Sequence, residues 1–518
     1  MKVTLEHVAA GCNRHSQCLA WGPDGLVAYA SHQAVLLWDS RVGQTRTVLL
    51  GQNSVVTCLR WLPSVTGGKS SESRASHALA SGSADGAVCV WELEAGGESD
   101  TDASVSETDD APVLSPRPAR LLSWSLAARL AIPAPESGNT SVSSLACLCQ
   151  PSGGATLLAA VSACGVAVWA REVGSADWAF AETILELNVD QRLNPVPISV
   201  AFAEWRGSGT AGESRRVLAA LGDVAGQVVV YASSCGVEAL AREAALKKAG
   251  DASLSSVSAS DAAPPPLFRR QVVLQGHQDW VRDLAWSHAS FGASQKGHLR
   301  LASASQDRRC TVWRMEAARA SLSSGRSSLE QTPVPADPAL WLTRFAPKPR
   351  LRLGAEDLTL ELEAVLSGHE DWVTSLAWEP VVCGDGAEPR TEPMLLTASM
   401  DRTMLLWARE ETSGLWMTRA ALGNAGSNHL GYYTACWSPC AGLVATHGFA
   451  GSLHVWRRRG RANGAPGRVL EALDFESVCG PTGHTGPVVG LAWAPEFGAA
   501  ATASEDRTAR LWTRSAAV

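Results

Sequence analysis

The sequence predicts an all-β protein built from repeated small sheets, and three observations carry that prediction. Tryptophan is in excess, with 20 Trp against 8 Phe and 4 Tyr in 518 residues. Most of those tryptophans close short apolar runs. The runs in turn belong to a block that recurs along the chain, which is the signature of a repeat architecture. With 46% hydrophobic and 18% charged residues the chain can bury a large core. Its net charge of −7 argues against a bulk polyanion binder, because phosphate neutralisation needs clustered Lys and Arg.

The block is clearest in GHQDWVRDLAW (276–286), GHEDWVTSLAW (368–378) and GHTGPVVGLAW (483–493). Each is followed by a second part: LASASQDRRCTVW (301–313), LLTASMDRTMLLW (395–407) and AATASEDRTARLW (500–512). The unit reads as Gly-His, an apolar strand ending in Trp, a small-residue strand, Asp in a tight turn, and another strand ending in Trp. It resembles the blade of the WD-repeat β-propeller.

Taken in order, LAWGPDGLVAYASHQAVLLW (19–38) is a first copy without Gly-His, and GQNSVVTCLRW (51–61) with LASGSADGAVCVW (79–91) is a second. SLACLCQPSGGATLLAAVSACGVAVW (144–169) has Cys164 or Gly165 where the turn Asp belongs, and the fourth copy (198–231) ends in Tyr231. The three full copies flank YYTACWSPCAGLVATHGFAGSLHVW (432–456), whose turn is Phe449 to Gly451. Eight repeats result. The resemblance implies closure into seven four-stranded blades over residues 1–463, with VTLEHV (3–8) as the outer strand of the seventh blade. Residues 464–518 are then expected to open an incomplete second propeller, the alternative being an eighth blade of one ring.

Three quartets are complete: His277, Ser303, Asp307, Trp313; His369, Thr397, Asp401, Trp407; and His484, Thr502, Asp506, Trp512. The resemblance implies that each forms a hydrogen-bond chain joining the strands of its blade. Each also imitates a Ser-His-Asp triad, but a motif recurring in copies reads as architecture, because a catalytic site would occur once.

Repeat ends lie further apart than the usual 40–45 residues, so long links are inserted. Residues 92–116 are acidic, 232–266 end in Ser/Ala runs and Pro264-Pro265-Pro266, and 315–350 are Ser- and Pro-rich; all three are expected to be disordered loops. By contrast, the apolar alternation of 351–372 predicts ordered strand leading into the sixth blade.

Other motifs are weak. Gly207 to Gly212 satisfies GxGxxG but lies between two strands, without the helix a phosphate cradle needs. His369-Glu370 opens like HExxH, but Val373 occupies the position of the second zinc ligand. The 13 cysteines include no CxxC pair and read as reduced, buried thiols; no metal site and no cofactor are expected. No signal-peptide core or long apolar run is present, so a soluble intracellular protein is expected. Arg457, Arg458, Arg459 and Arg461 form the sharpest basic cluster and are candidates for phosphate contact. Trp280 and Trp372, outside the regular ladder, are candidates for partner contact. The chain is expected not to be an enzyme.

The paired GHxDW motifs, SGLWM (413–417), LEHVAAGCNR (5–14) and the segment 430–456 are similar to the WD-repeat subunit family of the Elongator complex. That resemblance implies a noncatalytic scaffold, located in the cytoplasm and also in the nucleus. Its implied partners are the large scaffold subunit and the radical-SAM/acetyltransferase subunit of an assembly that modifies tRNA wobble uridine (5-carboxymethyl type). It implies no cofactor, and at most indirect or weak tRNA contact. A different class stays open. Trp38-Asp39-Ser40-Arg41 fits the WDxR pattern of substrate receptors for cullin-type ubiquitin ligases.

Overall fold

The computed structural model describes residues 2–65, 76–93, 123–133, 140–149, 155–173, 175, 177–184, 197–206, 215–253, 266–287, 299–317, 349–353, 356–380, 392–410, 412–423, 431–459, 475–478, 483–494 and 499–515. Their strands form eight antiparallel sheets, each built from consecutive strands except at the chain's two ends. The fifth sheet shows the pattern: Val281–Trp286, Leu299–Ser305, Arg309–Ala317 and Glu356–Ser367, extended by an edge strand, Arg350–Leu353. The sixth is Val373–Trp378, Leu395–Ser399, Thr403–Arg409 and Trp416–Gly423.

The second strands explain the composition. Thr156–Ser162, Leu299–Ser305 and Leu395–Ser399 are buried at every position, because both faces of each sheet are covered by its neighbours. Ala, Ser and Thr at these positions let adjacent sheets approach. Bulges recur at fixed places. In the outer strands of sheets one to six, and of the eighth, the register slips beside the residue that ends the third strand, Trp in all but the fourth. Each such bulge re-aims one side chain and increases the local twist.

Ring closure differs from the seven-blade expectation. The N-terminal strand Lys2–Ala10 pairs with Thr508–Ser515 of the eighth repeat, from Lys2 opposite Ser515 to Ala10 opposite Thr508. It therefore completes the eighth sheet, and the seventh is completed by Phe475–Ser477 instead. Residues of the last repeat pack between the seventh and first sheets, so 464–518 contribute a blade to one eight-bladed ring. The physical reason is local: Gly11 and Cys12 donate to the Arg507 carbonyl at 2.7 and 3.0 Å, which anchors the incoming strand beside the eighth repeat's own turn.

A second correction concerns 232–266. A helix, Val237–Ser253, occupies part of this segment and buries Val237, Leu240, Ala241 and Ala244 against the third and fourth sheets. Within 92–116 the described residues, Glu92 and Leu93, end a strand; within 315–350 they are strand residues Met315–Ala317 and Arg350, with Pro349 beside the latter. The rest of both segments lies outside the described residues. The alternation of 351–372 is strand, as read: Glu356–Ser367 closes the fifth sheet and leads into the sixth. No helix among the described residues is long and apolar enough to cross a membrane.

Candidate interaction rim and blade quartets

In the sixth blade Trp407 Nε1 donates to Thr397 Oγ1 at 3.0 Å, Thr397 meets His369 Nε2 at 2.8 Å, and His369 Nδ1 meets Asp401 Oδ2 at 2.9 Å. Burial works to raise the Asp401 carboxyl, but hydrogen bonds from His369 and Thr403 outweigh it and hold the group at about 2. The eighth blade repeats this geometry through His484, Thr502, Asp506 and Trp512, again with the carboxyl held down at about 2. In the fifth, an extra hydroxyl intervenes. Trp313 Nε1 donates to Thr311 at 3.2 Å, and Thr311 in turn contacts Ser303 and His277.

A fourth network appears where no Gly-His marks it. In the second blade Gln52 Nε2 donates to Ser81 Oγ at 2.9 Å and Trp91 Nε1 reaches the same oxygen at 3.0 Å. The glutamine amide takes the place of the imidazole. In all three full quartets the hydroxyl residue is sealed: Ser303, Thr397 and Thr502 are 0% exposed. Each hydroxyl thus meets the imidazole and, directly or through Thr311, the indole inside the blade, and the polar groups of the quartet satisfy one another there.

The tryptophans that end first strands have a separate task. Trp61, Trp286, Trp378 and Trp437 each donate their indole N–H to a carbonyl of the preceding sheet's first strand, at Ala20, Ala201, Ala285 and Ala377, over 3.0–3.3 Å. Trp493 reaches Cys436 Sγ at 3.1 Å. These bonds join sheet to sheet, whereas the quartets join strand to strand. Trp21, at the seam between the eighth and first sheets, has a buried Nε1 without a partner among the described residues.

Trp280 and Trp372 lie on the rim, 42% and 46% exposed. Phe449 of the seventh blade, 39% exposed and packed on Tyr433 at 4.5 Å, continues the aromatic arc. A cleft of about 580 Å³ opens between the fifth and sixth blades, lined by Gln278, Asp279, Gln306, Arg308, Arg309 and Trp372 among others.

The basic cluster looks different in three dimensions. Arg457 and Arg459 both pair with Glu476, and Arg458 pairs with Glu379 at 2.9 Å. Arg461 and the glycine-rich 207–212 segment lie outside the described residues. Arg41 is exposed, with its N–H held by Asp39 Oδ1 at 2.8 Å, while Asp39 also pairs with Arg46. Glu370 donates its N–H to Asp401 beside the quartet of His369. The described cysteines are free thiols; Cys12 and Cys18 sit 3.6 Å apart, both buried. No group of three or more metal-ligating side chains occurs among the described residues.

The family model "WD domain, G-beta repeat" matches residues 43–92, 268–314, 360–408 and 476–513. Elongator complex protein 2 of Dictyostelium discoideum is 25% identical over 98% of this chain and 51% of its own length. The Mus musculus protein of that name is 27% identical over 98% of the chain and 49% of its length. That of Danio rerio is 35% identical over 48% of the chain and 27% of its length. The chain thus spans about half the length of the curated relatives it matches end to end. Among solved structures, Chaetomium thermophilum Sqt1 bound to the N-terminus of ribosomal protein L10 aligns with a TM-score of 0.55 at 14% identity, over 98% of this chain and 99% of that one. This last likeness concerns the fold alone. The repeated blades, the four matched segments and a similarity running nearly end to end make the chain similar to WD-repeat proteins and, over 98% of its length, to Elongator complex protein 2.

Proposed function

We propose that the chain is a noncatalytic scaffold subunit of an Elongator assembly that supports 5-carboxymethyl-type modification of the tRNA wobble uridine. It works in the cytoplasm, and also in the nucleus. The observation that carries this reading is the similarity to Elongator complex protein 2 along 98% of the chain. The blade quartets fit it, since their chemistry is spent on joining the strands within each blade. Its partners are the large scaffold subunit and the radical-SAM/acetyltransferase subunit, docked on the rim. Arg457, Arg458 and Arg459, each already paired with a carboxylate, favour protein contact over direct tRNA binding. Affinity capture of the tagged chain from its own cells should retain both subunits, and deletion should lower wobble-uridine modification. Capture of neither, or normal modification after deletion, overturns the reading.

We further propose, for a chain of the relatives' full length, the seven-blade alternative in which the N-terminal strand completes the seventh sheet and 464–518 open a second ring. Two features support it. Among the described residues, the seventh sheet's outer strand is the three-residue Phe475–Ser477, and Trp21 Nε1 has no acceptor at the seam. Val8 and Arg510 are cross-strand partners in the eight-bladed ring, so the pair Val8→Cys and Arg510→Cys distinguishes the two closures. Rapid crosslinking in the full-length protein would eliminate the seven-blade form.

A further inference from the structure

The antiparallel order of each blade sends its connections to two faces. The strand ends joined by the links from third to outer strands stand on one face: Leu93 and Trp124, Ser233 and Phe268, Ala317 and Arg350, and Arg458 and Phe475. Links from an outer strand to the next blade, and the turns between second and third strands, open on the other. At the fifth and sixth blades these are short: Gln275 to Val281, Ser305 to Arg309, Ser367 to Val373, and Ser399 to Thr403. The cleft between those blades therefore stands on the face where the connections are trimmed.

Its walls are held in place before any ligand arrives. Asp279 and Asp371 each accept the N–H of the following tryptophan at 2.8 Å. Their own carbonyls accept from Ser305 and Ser399 at 2.9 and 3.0 Å. The carbonyls of Trp280 and Trp372 take the N–H groups of Gln306 and Met400, both at 3.0 Å. Two exposed indoles are thus mounted identically on fixed loops, so little ordering cost remains on binding. Opposite Trp372, Arg308 sits in the left-handed region with φ 70°, and Arg309 follows it. Neither guanidinium has an ion-pair partner among the described residues, whereas Asp307 is occupied by His277.

We propose that this cleft binds a short peptide segment of another protein carrying an acidic residue next to a bulky apolar one. The carboxylate docks on Arg308 and Arg309, where bidentate guanidinium geometry suits it. The apolar side chain packs on Trp372. Two neighbouring arginines suit a single carboxylate but make no phosphate track, which argues against a nucleic-acid strand here. This deepens the scaffold reading by naming the chemistry of a partner segment, and rests on it.

The experiment is a random-peptide display selection on the immobilised full chain, counter-selected on Trp372→Ala. Selected peptides are then labelled and titrated by fluorescence anisotropy beside a labelled oligouridylate. Asp or Glu adjacent to Phe, Leu, Ile or Trp should be enriched. Affinity should fall at least about tenfold in Trp372→Ala and in Arg308→Asn with Arg309→Gln, asparagine being tolerated in the left-handed turn. All altered side chains lie on the rim, and unchanged melting curves establish that the variants fold. Absence of enrichment, peptides indifferent to these variants, or oligouridylate binding abolished by them overturns the proposal. Because the selection needs no Elongator subunit, success here with failed subunit capture would sink only the assembly assignment, and the converse only the cleft.

Discussion

Replacing Thr397 by Val keeps the shape of the side chain and removes one oxygen on which the sixth blade converges. Trp407 Nε1 donates to that oxygen at 3.0 Å and His369 Nε2 meets it at 2.8 Å, in a residue with no exposed surface. Valine strands both nitrogens away from water, and each stranded polar group costs about 1–3 kcal/mol, so the expected loss is about 2–6 kcal/mol. Thr397→Ser keeps the hydroxyl and loses one methyl, which costs only about 1 kcal/mol. Differential scanning calorimetry should therefore rank wild type, Ser and Val in that order, with several degrees separating Ser from Val. Trp407→Phe adds a further check. Its cost should be smaller on the Val background than on wild type, because the indole N–H is already unpaired there. Equal melting temperatures for Ser and Val, or strictly additive costs, would refute the claim that the hydroxyl is a hub.

The same blade has an acid signature. A folded pKa of about 2 for Asp401 against about 3.9 unfolded gives about 2.5 kcal/mol of stability, fully present above about pH 5 and lost as pH falls towards 2. Asp401→Asn should be weaker at pH 7 and should flatten the wild-type decline in acid unfolding followed by circular dichroism; superimposable acid curves would contradict this. Trp378→Phe removes the donor that reaches Ala285 of the neighbouring sheet, and should cost about 1–3 kcal/mol by thermal melting. Hydrogen exchange should quicken at the seam between the fifth and sixth sheets. Gly451→Ala places a methyl 2.5 Å from the His484 carbonyl at a φ of 69°. It should lower the melting temperature more than Ala441→Gly, where φ is 55° but removing a methyl relieves strain.

What the sequence made legible follows from what repeats. Third-strand tryptophans, Ser or Thr, and Asp recur at fixed spacing, so the blades and the three quartets could be read directly from residues such as Thr397, Asp401 and Trp407. A hydrogen-bond partner that varies in type is harder to see. Gln52 does the work of a histidine without resembling one, and Thr311 enters its network as an ordinary strand residue. The helix at 237–253 carried its own signal, since Val237, Leu240, Ala241 and Ala244 follow helical spacing; the Ser/Ala and Pro composition downstream obscured it. Blade number is of another kind. Lys2–Ala10 is an alternating strand with no mark of its partner, and its choice between the seventh and eighth sheets depends on contacts across the whole chain. The tryptophans show the same division within one residue type. Trp407 completes a network inside its own blade and was predictable from that blade alone, whereas Trp378 donates to a carbonyl of the preceding blade, a bond that exists only once the sheets are stacked in order.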